Sequence, residues 1–159
     1  MDISVLPIII LLPLVLGTTL VSWLKQFSRG VTALAAIGIS LSSLVLLLLH
    51  APDVLNGQVI QQTWRWLPEL GLNLSFRLDA LGLLFALLIS GIGTLIFIYA
   101  YYYLGPKNSL SKLYMLLMLF MAAMLGIALS NNLILLLTFW ELTSISSFLL
   151  VGYWSNYDA

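Results

Sequence analysis

Apolar residues in this chain gather into long unbroken runs, with polar positions confined to the gaps between them. Five runs stand out, at about residues 5–24, 31–49, 80–104, 113–129 and 133–154. A helix needs about 20 mostly apolar residues to cross hydrocarbon, with a range of about 17 to 25. Helices and closed barrels alone satisfy their backbones in lipid, and continuous runs of this length specify helices. The pattern therefore predicts an all-α integral membrane protein with five transmembrane helices. The first run contains Pro7 and Pro13. The third is the longest, and length beyond the hydrocarbon thickness is accommodated by tilt.

Between the second and third runs the period changes. Leu70, Leu72, Leu74, Phe76 and Leu78 alternate with Gly71, Asn73, Ser75 and Arg77. This is the two-residue period of a strand. Trp64 and Trp66 precede it, also two apart, and "PELG" between them is a turn signal. A small β-hairpin is predicted here, pairing residues 64–67 with 72–76. Asp79 stands just before the next apolar run, where a side-chain oxygen can cap a helix. With no internal repeat, low-complexity tract or linker, residues 1–159 form a single membrane domain.

Composition strengthens this picture. The chain is 62% hydrophobic and 8% charged, with a mean hydropathy of +1.09. A soluble domain is nearer one half apolar and one quarter charged. The formal net charge is zero, so nothing points to a nucleic-acid partner; the partner implied is the lipid bilayer. Absence of cysteine removes disulfides and thiolate chemistry. The opening "MDISVLPIII" carries an acid where a signal peptide carries basic residues, so it is expected to be a retained span.

Candidate chemistry centres on "LLLTFWELTSISSFLL", an apolar run with Glu141 near its middle. On insertion scales an acidic residue at that depth costs about 2.5–3.5 kcal/mol, and such residues face a bundle interior or a water cavity. Thr138 and Ser144 share its helical face, and Thr143 and Ser147 form a second polar strip. One reading is a proton or cation relay supported by these hydroxyls. The other is a neutral glutamate bonded to a neighbouring helix. His50, the lone histidine, closes the second run at headgroup level and cannot build a histidine metal cluster within this chain. Asp79 and Arg77 suit a local pair or a cap. Met115, Met118, Met121 and Met124 repeat every third residue, a spacing that fits packing. Ser90, Gly91 and Gly93 allow helices to approach closely. No phosphate loop, catalytic triad or dinucleotide fingerprint is present, and neither a metal nor a cofactor is expected.

"LTFWELTSISSFLLVGYW" resembles the fifth helix of the A-type subunit of Mrp-type multisubunit Na+/H+ antiporters. "FRLDALGLLFALLISGIGTLIFIYAYYYL" is similar to that subunit's third helix and its lead-in. The resemblance implies exchange of Na+ for H+, with Glu141 as a mid-membrane carboxylate that pairs with a lysine on a later helix. It also implies partners: the remaining helices of that polypeptide and the other members of a complex, in a bacterial plasma membrane. The same superfamily includes proton-pumping subunits of complex I-like NADH-quinone oxidoreductases and membrane hydrogenases, an alternative reading. A purely structural membrane subunit is a third. Family members are much longer, so the chain is expected to be a fragment or the product of a truncated or split gene. On either account it is expected to be a transporter component and not an enzyme, with membership of a redox-driven pump left open by the alternative reading.

Orientation follows from basic residues. Lys25, Arg29, Lys107 and Lys112 fall in two connections on one side of the membrane. Arg65 and Arg77 on the other side are offset by Asp53, Glu69 and Asp79. The positive-inside rule puts the first side in the cytoplasm. The N-terminus is then outside and the C-terminus inside. Trp23, Tyr99, Tyr101, Tyr102, Tyr103, Tyr153 and Trp154 agree as interfacial aromatics. A reporter fused after Asn108 or Asp158 should therefore be cytoplasmic, and one near Gly57 external. Opposite labelling of both ends would reject this topology.

Overall fold

The computed structural model describes residues 5–23, 28–67, 72–104 and 110–153. Among them the chain is mostly helical. In order the elements are α1 (Val5–Leu11), a π-helical turn (Leu12–Gly17), α2 (Thr18–Trp23), α3 (Arg29–Leu55), β1 (Ile60–Leu67), β2 (Leu72–Leu78), α4 (Ala80–Tyr103), α5 (Leu110–Leu129) and α6 (Leu133–Val151). The helices α3, α4, α5 and α6 are each long and apolar enough to cross a membrane. The first apolar run is a composite of α1, the π turn and α2. Residues 154–159 and the "PELG" turn at 68–71 lie outside the described residues.

Pro13 explains the composite. A proline ring clashes with the carbonyl four residues back and removes one N–H donor. The chain widens to a π turn around the ring, and the Ile9 carbonyl has no N–H of residue 13 to accept. Ser43 of α3 replaces it: its Oγ donates to Ile9 O at 3.2 Å, fully buried. Thr18 and Thr19 hydroxyls turn back onto Leu14 O and Val15 O of the same turn. The helix survives its proline because a neighbouring helix supplies the missing donor.

α3 is longer than its apolar run. It starts with Ser28 as N-cap, whose side chain accepts from Val31 N, and it runs through His50 and Pro52 to Leu55. His50 is consequently one turn inside the helix, with Nδ1 2.8 Å from Leu46 O. Arg29 and Lys112 likewise fall just inside α3 and α5, not in the connections.

Inside lipid, helices associate through close packing more than through the hydrophobic effect. The α3–α4 seam shows how. Ala86, Ser90 and Thr94 lie four apart on one face of α4 and are buried. Ala33, Ala36, Ser40 and Ser43 line the facing side of α3. Ser40 and Thr94 join their hydroxyls at 2.6 Å across the seam. Ser90 and Thr94 also donate to Ala86 O and Ser90 O. Two of the four regularly spaced methionines, Met118 and Met121, pack against glycines. A Cβ on Gly17 would sit 2.8 Å from the Met118 side chain, and one on Gly93 would sit 3.2 Å from Met121 Sδ.

α5 is the hub. Half of its apolar window is buried, against 6% of that of α6. Tyr114, Met118, Leu125 and Leu129 of α5 are fully enclosed. Tyr114 donates its hydroxyl to Phe97 O at 2.8 Å and meets the Phe97 ring edge-on at 5.5 Å.

The hairpin closes one end of this bundle. β1 and β2 are antiparallel, with Ile60 opposite Leu78, Gln62 opposite Phe76 and Trp64 opposite Leu74. These six residues share one face, and Phe76 and Leu78 are buried in the core. An irregularity between Arg65 and Leu67 shifts the register toward the turn. Gln62 Oε1 accepts from Leu6 N at 3.1 Å, meeting one of the unpaired donors near the start of α1. Asp79 caps α4, accepting from Gly82 N at 2.8 Å, and its other oxygen lies 3.3 Å from Arg77 Nη2.

Ser43→Ala should cost about 1–3 kcal/mol, because it strands a buried carbonyl. In a Pro13→Ala background, where residue 13 regains its N–H, the cost should shrink. A double-mutant cycle on unfolding in mixed micelles measures this, and equal costs in both backgrounds would reject the link.

Candidate functional site

α6 carries the candidate site, and what fixes α6 comes first. Asn132 caps it, with Oδ1 accepting from Ile134 N at 2.9 Å. Two residues before that cap, Ser130 forms a single antiparallel bridge to Phe76 of β2. Asn131 N donates to Ser75 O at 2.9 Å, and Asn132 Nδ2 to Asn73 O at 3.3 Å. The linker between α5 and α6 is thus laid along the free edge of the hairpin. Asn131 Nδ2 reaches Ser75 Oγ at 3.3 Å, and Ser75 Oγ meets Thr63 Oγ1 at 2.9 Å.

Below the linker, α6 rests on α5 along a narrow seam. Leu135 and Ser146 are its buried residues. Phe139 lies between them and drops into a notch over Gly126 of α5. A Cβ on Gly126 would overlap that ring. Phe139 also lies against Phe76 of the hairpin, with ring centroids 6.4 Å apart. One aromatic side chain therefore touches both supports of α6.

Glu141 lies on the other side. It is five residues from Ser146, which is about 140° around a helix of 3.6 residues per turn. It is exposed, and its neighbours Leu137, Trp140 and Ile145 are exposed with it. Thr138 and Ser144 flank it on the same side of α6. Among the described residues none donates a hydrogen bond to its carboxylate or pairs with it. The hydroxyls of α6 turn to their own backbone: Thr138 to Ile134 O, Thr143 and Ser144 to Trp140 O, and Ser146 to Leu142 O. Thr143, Ser144 and Ser147 line a shallow groove with Trp140, closed on the α5 side by Phe120 and Met124.

The candidate residues thus share one helix but are separated by face. Glu141 and Thr138 look outward, Thr143 and Ser147 lie at the α5 side, and Ser144 stands between the two groups. His50 and Asp79 sit on other elements, each engaged with local backbone as described. Gly126, Phe139, Asn131 and Asn132 were not among the sequence candidates. The signals that could have found them are a glycine within an apolar run, for Gly126, and "SNN" between two apolar runs, for Asn131 and Asn132.

Known proteins resemble this chain. A family model described as NADH-Ubiquinone oxidoreductase (complex I), chain 5 N-terminus, matches residues 64–112, from the hairpin to the start of α5. The A1 subunit of a Na(+)/H(+) antiporter from Staphylococcus aureus is 39% identical over 156 residues. The chain matches the N-terminal part of that antiporter polypeptide. The match covers 98% of this chain and 20% of the relative's length. The Mrp complex from Dietzia sp. DQ12-45-1b contains a chain with a TM-score of 0.64 and 27% identity, covering 91% of this chain and 14% of that one. The membrane-bound sulfane sulfur reductase, an archaeal respiratory membrane complex, shares the fold with a TM-score of 0.72 at 22% identity, covering 93% of this chain and 23% of that one. With its apolar helices, this chain is an integral membrane protein.

Gly126→Ala should destabilise the α5–α6 seam by about 1–3 kcal/mol, the usual cost of overpacking. Phe139→Leu in the same chain should recover part of it, since the clash is with that ring. Proteolysis of α6 in detergent reads this out, and no rescue by the second change would reject the notch.

Proposed function

We propose that the chain is part of a multisubunit Na+/H+ antiporter and that Glu141 is its mid-membrane carboxylate on the proton and cation path. The observation that carries this reading is the position of Glu141: an unpaired acid on a face of α6 that nothing in the described chain covers. A carboxylate so deep in lipid needs a cationic or hydrogen-bonding partner or a water-filled cavity. The 39% identity to an antiporter A1 polypeptide supports a partner from the rest of a longer assembly, since this chain spans 20% of that relative. Such an arrangement gives Glu141 a counter-charge on a neighbouring helix. Thr138 and Ser144 beside it extend the polar path. The assembly sits in a bacterial plasma membrane, with the hairpin outside and the basic end of the bundle in the cytoplasm.

A second reading is a proton-pumping membrane subunit of a complex I-like NADH-quinone oxidoreductase or membrane hydrogenase. The family match over residues 64–112 favours it. Glu141 does the same work there, and companion genes for flavin and iron–sulfur proteins distinguish it. A purely structural role is the third.

Glu141→Gln in the complete assembly should preserve insertion and assembly while slowing exchange by about 100-fold or more, the lower range for loss of an acid–base group. Glu141→Asp should retain part of the rate, because the acid survives on a shorter stem. Sodium-driven pH change in everted vesicles at matched expression is the measurement. Full exchange by the Gln variant would leave the structural reading standing.

A further inference from the structure

Phe76 of the hairpin holds α6 at two heights. Its backbone bridges to Ser130, just before the α6 cap. Its ring lies 6.4 Å from that of Phe139, tilted by 53°, which is about 10 Å further along the helix at 1.5 Å per residue. The Phe76 ring also meets Trp64 of β1 edge-on, with centroids 6.3 Å apart. Trp64, Phe76 and Phe139 thus form an aromatic chain from both strands of the hairpin into α6. Phe76 itself is buried in the core. The bridge fixes where α6 starts. The ring contact fixes how α6 is turned about its own axis.

Little else in α6 resists turning. Its buried residues are Leu135 and Ser146. Its hydroxyls bond to their own backbone and would travel with the helix. Apolar side chains point all round, so a turned helix shows its surroundings much the same surface. Phe139 is what gives the seam a shape: Gly126 leaves a floor under its ring, and Phe76 stands beside it. Glu141 follows Phe139 by two residues, about 200° around the helix. Holding the ring against α5 and the hairpin therefore holds the carboxylate on the far side. We infer that Phe76 is a positioning residue, through which the hairpin sets the direction that Glu141 faces. The inference rests on the reading of Glu141 as the carboxylate of the proton and cation path.

The test is disulfide mapping in the complete assembly. The chain has no cysteine, so an introduced pair supplies its only thiols. Phe120→Cys on α5 is combined in turn with Thr143→Cys, Ser147→Cys, Ile145→Cys or Phe148→Cys on α6. Thr143 and Ser147 line one groove with Phe120. Ile145 and Phe148 are exposed and share the helical face of Glu141. A disulfide needs Cα atoms within about 7 Å. With Phe76 in place, cross-links should form at Thr143 or Ser147 and be absent at Ile145 and Phe148. Adding Phe76→Ala should bring cross-links to Ile145 or Phe148, the mark of a turned helix. A seam that merely loosened would lose yield at every position together. Phe139→Ala should give the same pattern as Phe76→Ala without touching the hairpin. Ser40→Ala, in the α3–α4 seam, is the control for general destabilisation and should leave the pattern alone. Sodium-driven exchange by Phe76→Ala should fall toward the Glu141→Gln level at matched expression. An unchanged pattern in assembled Phe76→Ala and Phe139→Ala would overturn the inference. So would a turned helix that exchanges at the full rate while Glu141→Gln does not. Full exchange by Glu141→Gln would instead remove the antiport reading, and the cross-link pattern would still decide whether the hairpin orients α6.

Discussion

A carbonyl without a donor is costly to carry into hydrocarbon, because no water is there to meet it. Pro13 creates one at Ile9, and Ser43 answers it from α3. Much follows from that single bond. It ties the first apolar run to the second across the bundle and fixes where α1 lies. It also puts the π turn against α5, where Gly17 makes room for Met118. The hydroxyls elsewhere in the bundle turn to backbone oxygens because each needs an acceptor where there is no water.

The bundle is uneven by construction. α3, α4 and α5 share close seams and enclose the core. α6 has one narrow seam and an otherwise uncovered circumference. Its apolar residues point in every direction, which suits a helix surrounded by other protein or lipid. Against that background an acid on the uncovered side is costly, and the cost is what marks Glu141 as a candidate.

The sequence revealed some of this and hid the rest, for physical reasons. Runs of about twenty apolar residues have few alternatives in lipid, so the helices were legible, and so was the two-residue alternation of the hairpin. Helix ends were less so. α3 continues past His50 and Pro52 because helical hydrogen bonding does not stop where hydrophobicity does. The π turn could not be read, since Pro13 implied only a disturbance and the remedy came from Ser43, on a different helix. Glu141 was legible as an anomaly of polarity. Its direction was not, because an all-round apolar helix gives no periodic cue to its buried face. Gly126 receiving Phe139 settles that rotation.

The hairpin has a consequence for the order in which the protein can be made. It grips α1 through Gln62 and Leu6, 56 positions apart. It grips the α5–α6 linker through Ser75 and Asn131, also 56 apart. Synthesis delivers these partners in sequence, with the strands arriving midway. The first grip can close once β1 has emerged. The second must wait until α5 has crossed the bilayer and Ser130 has reached the hairpin's side of it. Until then β2 keeps an open edge, which is a hazard for pairing with other chains. The hairpin end of the bundle therefore matures late, just before α6 enters the membrane onto a foothold already built.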